Sequence, residues 1–313
     1  MSAPRVVVFA YSDVGHAGLE FLLERGVNVV AVYSHADKPG EAIWFPSASK
    51  LAHDAGVPVH LDADLRTEKG IAELAAHAPD LLLSFYYREI IPQAALDLAP
   101  LGAFNMHGSL LPKFRGRAPV NWAVALGEKE TGATLHVMTH LADAGDIVDQ
   151  EKVAIGPDDT AFEVQGRVRD AGVRVLGRQL DALLGGTAPR KPQDHAAATK
   201  FGRRRPEDGR IDWTRSAADI HNLVRAVSHP YPGAFTTLGD RTLYLWRTAR
   251  APAPAPDGPP GSFHVKGDRA IAVAGDGRAL EIVRAQVEGE PELGAAALAH
   301  RLAPLLTSSP TAS

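Results

Sequence analysis

Residues 5–34 read RVVVFAYSDVGHAGLEFLLERGVNVVAVYS. A short apolar run, VVVFA, gives way to a helical period through GLEFLLERG, and a second apolar run, VNVVAVYS, follows. The same alternation continues with SASKLAHDAG as a helix, VPVH as a strand, EKGIAELAAHA as a helix and DLLLSFYY as a strand. Strands that are apolar on both faces, separated by helical connections, predict a parallel sheet covered on both sides. The expected fold class is therefore α/β, a Rossmann-like doubly wound N-terminal domain. Its first strand-to-helix turn holds Gly15 and Gly18 but lacks the G-x-G-x-x-G spacing of a dinucleotide site, so these glycines are read as turn and helix-packing residues.

Further along, residues 103–119 read AFNMHGSLLPKFRGRAP. In a strand Asn105 and His107 share one face, while Phe104 and Met106 take the other. The C-terminal edge of a parallel strand is where open α/β sheets put their ligands. The stretch ATLHVMTHL alternates as a half-buried strand should, and Asp143 falls in the glycine-containing turn after it. An Asn amide can donate to a developing oxyanion, a His can move a proton near neutral pH, and a nearby carboxylate favours the charged form of that His. Asn105, His107 and Asp143 are the candidate catalytic residues, for acyl transfer to an amine without a covalent intermediate. Ser109 lacks the G-x-S-x-G elbow of a serine nucleophile. With no His-Glu-x-x-His, no cysteine and 13 scattered His, no metal site is expected.

A long helix is predicted over about 161–184, and the periodicity stops at GGTAPRKPQ. From about Phe201 the composition changes to short strands with turn signals, which predicts a small five-stranded, OB-like β-barrel with one or two helices. The expected domains are 1–200, 201–303 and a disordered tail over 304–313. APAPAPDGPPG, residues 251–261, is read as an extended loop.

The 313 residues carry a formal charge of −4 and 45% hydrophobic residues, ordinary for a globular protein and without a general pull toward nucleic acid or anionic lipid. The absence of cysteine excludes disulfides and thiolate chemistry and is compatible with a reducing compartment. The N-terminal apolar run falls short of the ~7 to 15 residues of a signal-peptide core. A cytoplasmic location is expected.

FNMHGSLLPKFRGRAPVNWA, then LADAGDIV, then IDWTRSAADIHNLVRAVSHPYPGAF, resemble the folate-dependent formyltransferases over about residues 4–300. Within that family, FAYSDVGHAGLEFLL, SHADKPGEAIWF, LLLSFYYREII and KFGRRRPEDG look most like the formyltransferase half of the bifunctional polymyxin-resistance protein ArnA. The resemblance implies a Rossmann-like catalytic domain with a barrel-like C-terminal domain, and 10-formyltetrahydrofolate as formyl donor. It implies that Asn105 stabilises the oxyanion, that His107 acts as general acid and base, and that Asp143 tunes His107. The folate would be contacted by Glu89, Ile90, Ile91, Arg117, Thr139, His140, Leu141 and Ala142. The implied acceptor is the 4″-amine of UDP-4-amino-4-deoxy-L-arabinose, a step of lipid A modification and polymyxin resistance. It also implies a dehydrogenase and decarboxylase on a separate polypeptide.

The alternatives are methionyl-tRNA formyltransferase, a transferase for another nucleotide-linked amino sugar, and a folate-binding module without catalysis. The loop SHADKPGEAIWFPS holds Lys38 against Asp37 and Glu41, and an acidic loop gains nothing from tRNA phosphates. A pure binding module would have no chemical need for all three catalytic candidates. A diphosphate asks instead for a few guanidinium groups. Arg115 and Arg117, with Arg203 and Arg204, are the candidates; Arg205 does not match the resembled segment, and a solvated charge run accounts for at least one of that triplet.

Overall fold

Val6–Ala10 form strand β1 with all five side chains buried, the pattern expected of a strand covered on both faces. The computed structural model describes residues 2–38, 43–251 and 254–307 of the chain. After β1 come α1 (Ser12–Glu24), β2 (Val29–Ser34), α2 (Ala48–Asp54), β3 (Val59–Leu61), α3 (Glu68–Ala76), β4 (Leu81–Phe85), α4 (Gln93–Leu96) and β5 (Gly102–His107). Next are β6 (Arg115–Gly116), α5 (Pro119–Ala125), β7 (Glu130–Val137), β8 (Ile147–Ala154), α6 (Ala161–Leu184) and β9 (Lys200–Phe201). The remainder holds α7 (Ala217–Val227), β10 (Ala234–Leu238), β11 (Arg241–Arg250), β12 (Phe263–Lys266), β13 (Arg269–Val273), β14 (Ala279–Val287), β15 (Leu293–Gly294) and α8 (Ala295–Thr307). Three helices start where a hydroxyl takes up an orphan backbone N–H: Ser47 accepts from Lys50, Thr67 from Gly70 and Ser216 from Asp219.

The chain divides into two compact units. One holds the chain up to Pro119, Glu130–Ala154 and Gln165–Gly202; the other holds Val120–Lys129, Ile155–Val164 and the chain from Arg203 onward. In the first unit, seven strands run in the order β3-β2-β1-β4-β5-β7-β8. The first five are parallel, as the alternation of strands and helices predicts, whereas β7 and β8 join as an antiparallel hairpin. The short connection between β7 and β8 permits this, because an antiparallel return needs no crossover helix.

Val7, Phe9, Ala31, Tyr33, Leu82, Ile91 and Ala103 pack into one core on a face of this sheet. Each such large side chain contributes roughly 1.5–3 kcal/mol by burial. Gly15 and Gly18 allow α1 to close on the sheet: a Cβ on Gly18 would lie 2.9 Å from the Phe85 ring, and one on Gly15 2.9 Å from the Ala10 carbonyl carbon.

The second unit carries an antiparallel sheet in the order β10-β11-β14-β13-β12, with β15 on β14, and α8 packs on β12, β13 and β14. Six strands stand where five are expected, because the two-residue β15 is too short to leave a pattern. The helix α8 reaches Thr307 and so takes in residues 304–307 of the expected tail, while 308–313 lie outside the described residues. Pro252 and Ala253 of the 251–261 loop lie outside them as well.

Candidate active site

Strand β5 sits between β4 and β7, with Asn105 paired to Ser84 on one side and to His136 on the other. This register builds the site, because His136 is directly across the ladder from Asn105. Asn105 Nδ2 lies 3.1 Å from His136 Nε2, and His136 Nδ1 lies 2.9 Å from the Val137 carbonyl. With Nδ1–H donating to that carbonyl, Nε2 accepts one hydrogen of the Asn105 amide and leaves the second for a ligand.

His107 is buried at the end of β5. Its Nε2 is 2.8 Å from the Phe114 carbonyl and its Nδ1 is 3.5 Å from Asp143 Oδ1. Both ring nitrogens thus face oxygen acceptors. Asp143 Oδ1 is also 3.5 Å from His136 Nε2, and its Oδ2 accepts from the Gly116 N–H at 2.8 Å. Burial alone would push the Asp143 carboxyl up. The His107 imidazole beside it and the Gly116 N–H outweigh it and hold the carboxyl well below the usual range.

The loops around this cluster are strained in a way that points to a site. Tyr86, Phe114, Ala118 and Asp143 all hold a left-handed backbone, with φ of 58°, 59°, 51° and 55°. Gly108, next to His107, has no room for a side chain: a Cβ there would lie 1.9 Å from the Tyr86 hydroxyl oxygen. Ser109 is fully buried and donates to the Lys113 carbonyl at 2.7 Å, so its hydroxyl is committed to the turn.

The structure brings Asn105, His107 and Asp143 together. Glu89 and Ile90 follow β4, Arg117 follows β6 and Thr139–Ala142 follow β7. Arg117 Nη2 donates to the Arg88 carbonyl at 2.6 Å, joining two of these loops. Ile90 and Leu141 are 66% and 57% exposed. Ile91 instead packs into the core, and Thr139 Oγ1 closes its own turn against Leu141. Beyond the C-terminal ends of β1 and β2, Tyr11, His35, Asp37 and Phe45 line a cavity of about 230 Å³.

The arginines divide. Arg115 donates to Gln193 Oε1 through Nη2 at 2.6 Å and Nε at 3.2 Å, with His195 Nδ1 3.1 Å from Nη2. In the second unit Arg204 stacks on Trp122 at 4.6 Å, and burial pushes its guanidinium below the ordinary value. Arg203 is exposed and makes no hydrogen bond or ion pair among the described residues. Among those residues, no group of three His, Asp or Glu could hold a metal ion, and no helix is long and apolar enough to cross a membrane.

Two contributors are not evident from sequence. His136 looks like any polar residue of a half-buried strand, and only the β5–β7 register gives it meaning. Gln193 stands in the stretch where periodicity stops; the Pro-Gln after a basic pair carries no signal of its own.

Solved structures share this fold. The sugar 3N-formyl transferase WlaRD, solved with dTDP and 5-N-formyl-THF, has a TM-score of 0.70 at 18% identity, covering 93% of this chain and 100% of that one. An N-formyltransferase from Helicobacter canadensis, in complex with folinic acid and dTDP-3-aminofucose, gives 0.70 at 19% identity over 90% of this chain and 99% of that one. HypX from Aquifex aeolicus with tetrahydrofolic acid gives 0.65 at 19% identity over 98% of this chain and 48% of that one. At these identities the likeness is one of fold. The family follows from the sequence matches: residues 5–180 match the formyl transferase family and residues 204–302 the formyl transferase C-terminal domain, and the chain belongs to that family.

Proposed function

We propose that the protein is a folate-dependent sugar N-formyltransferase, moving the formyl group of 10-formyltetrahydrofolate to the 4″-amine of UDP-4-amino-4-deoxy-L-arabinose. The product would serve the lipid A modification behind polymyxin resistance. The observation that carries the transfer chemistry is the single cluster of Asn105, His107, Asp143 and His136, in which an amide hydrogen, a proton carrier and a carboxylate converge on one strand end.

The neutral amine attacks the formyl carbon, and the bond from that carbon to the folate nitrogen breaks. Asn105 donates its free amide hydrogen to the carbonyl oxygen as charge develops there, which is worth most in a site where the donor is already oriented. His107 supplies the proton that the leaving nitrogen needs, and the proton lost by the amine restores it. Asp143 holds His107 in place and balances its charge. The exposed side chains of Ile90 and Leu141, with the backbone of 139–142 and Glu89, offer the apolar surface and polar groups that a pterin needs.

The acceptor is supported by the ArnA-like segments, by the solved neighbour that binds a dTDP amino sugar, and by the open guanidinium of Arg203. Of the loop 34–47, Lys38 and Asp37 are described, while Glu41 lies outside the described residues.

The test is a side-by-side assay of tetrahydrofolate release with UDP-4-amino-4-deoxy-L-arabinose, a dTDP-4-amino sugar and methionyl-tRNA. Turnover confined to the UDP sugar is expected. Turnover with methionyl-tRNA alone would overturn the acceptor assignment and leave the transfer chemistry standing. The same assay checks His136: a His136→Leu variant is expected to lose on the order of 10- to 100-fold in kcat, since Asn105 would lose the partner that aims it. Unchanged turnover would remove His136 from the machinery.

A further inference from the structure

Asp143 is held by more than its histidines. Gln193, only 6% exposed, lies in the stretch that follows α6. Its Nε2 donates to the Asp143 carbonyl at 2.9 Å and to the Gly145 carbonyl at 2.6 Å. Its Oε1 accepts from Arg115. The two ends of the amide therefore face opposite chemistry, carbonyls on one side and a guanidinium on the other, which fixes its orientation.

The turn that Gln193 grips is a costly one. Asp143 holds φ of 55°, and a Cβ on Gly145 would lie 2.0 Å from the Val137 carbonyl oxygen, so the chain doubles back tightly. Left-handed backbone at a non-glycine residue persists only where the surroundings over-determine it. The remainder of the stretch braces the other side of the site. The Phe114 N–H donates to Thr199 Oγ1 at 2.8 Å, the Arg115 N–H to the Thr199 carbonyl at 2.9 Å and the Arg117 N–H to the Phe201 carbonyl at 3.1 Å. The Phe114 and Phe201 rings stack at 5.1 Å. The carbonyl that faces His107 and the turn that carries Asp143 are thus both fastened to residues 193–201, a segment outside both family matches.

We propose that Gln193 is a positioning residue for the transfer reaction, clamped by Arg115 and holding the left-handed Asp143 turn so that the carboxylate meets His107 and His136. The proposal rests on the reading of Asp143 given above. It also gives Arg115 a task other than gripping the acceptor's diphosphate.

The test compares Gln193→Ala, Gln193→Met, Asp143→Asn and the Gln193→Ala/Asp143→Asn double variant by steady-state kinetics, with thermal unfolding of each. Met keeps the length and packing of the side chain and removes both amide donors, so it reports on the hydrogen bonds even where the alanine variant folds poorly. Both Gln193 variants are expected to lose on the order of 10- to 100-fold in kcat, the scale of a modest misplacement, with KM for the folate changed by less than about threefold. The double variant is expected to be as slow as Asp143→Asn alone, because a residue that acts only through Asp143 has nothing left to act on. Wild-type kcat in Gln193→Met, or a double variant slowed by the product of the two single effects, overturns the proposal. A normal Asp143→Asn enzyme overturns instead the reading of the site on which it stands.

Discussion

His107→Ala is expected to lower kcat by on the order of 10²- to 10⁴-fold, the range of a general acid or base that sits in the reaction path. The structure gives the physical reason. The imidazole is buried, with the Asp143 carboxylate 3.5 Å from one nitrogen and the Phe114 carbonyl 2.8 Å from the other. Among the described residues no other proton carrier stands in that place, since the neighbouring His136 is tied to the Val137 carbonyl and to Asn105. Folate binding is expected to be nearly unchanged under the proposed reading, in which the pterin meets Ile90 and Leu141 rather than this ring. Single-turnover formyl transfer with saturating folate measures the loss directly. A variant that turns over within threefold of wild type would sink the assignment, on the scale of 1.36 kcal/mol per tenfold.

Asp143→Asn carries the second large effect and combines rate with stability. The amide is nearly isosteric and can still accept from the Gly116 N–H, so the geometry survives while the charge that balances His107 is lost. A loss on the order of 10²- to 10³-fold in kcat is expected, by analogy with the general cost of removing the orienting carboxylate behind a catalytic imidazole.

The stability effect has a definite sign with pH. The folded carboxyl is held below its ordinary value, so its contribution is fully present above the unfolded carboxylate range near pH 4 and is lost as pH falls toward the folded pKa. Asn does not titrate there. The variant should therefore be less stable than wild type by about 1–3 kcal/mol at pH 7, the cost of disturbing a buried charged hydrogen bond, with the gap narrowing at pH 3. Denaturant unfolding at the two pH values measures it. A gap of the same size at both would show that Asp143 is not held ionised in the native state.

What could be read from the residues alone follows from how local each signal is. Strands β1, β2 and β4 are uninterrupted apolar runs, and α6 carries a long helical period, so both kinds of element declare themselves within a short window. Asn105 and His107 share a strand and are two residues apart, which makes their shared face a property of the pleat. Asp143 needs a motif to join them, since 35 intervening residues separate it from His107.

His136 and Gln193 need a register and a return of the chain, neither of which is encoded in their neighbours. Arg115 shows the same limit from the other side. Its charge and place beside the catalytic strand suggest a phosphate ligand, but charge says nothing of the glutamine that the guanidinium meets. The helix α8 escapes notice for a different reason: its alanine-rich start carries few large apolar side chains, and the packing of Leu298 and Leu302 marks its buried side.

The pairing of β6 with β9 bears on how this fold can be cut and recombined. A fragment ended after α6 would contain Asn105, His107 and Asp143 and would keep the full matched stretch of residues 5–180. It would nevertheless lose the ladder that fastens Arg115 and Gly116 to Lys200 and Phe201, and with it the Gln193 clamp. Chimeras that exchange catalytic halves between relatives should therefore place their junction after Phe201, since an earlier splice would carry over the reacting side chains without the scaffolding that sets their angles.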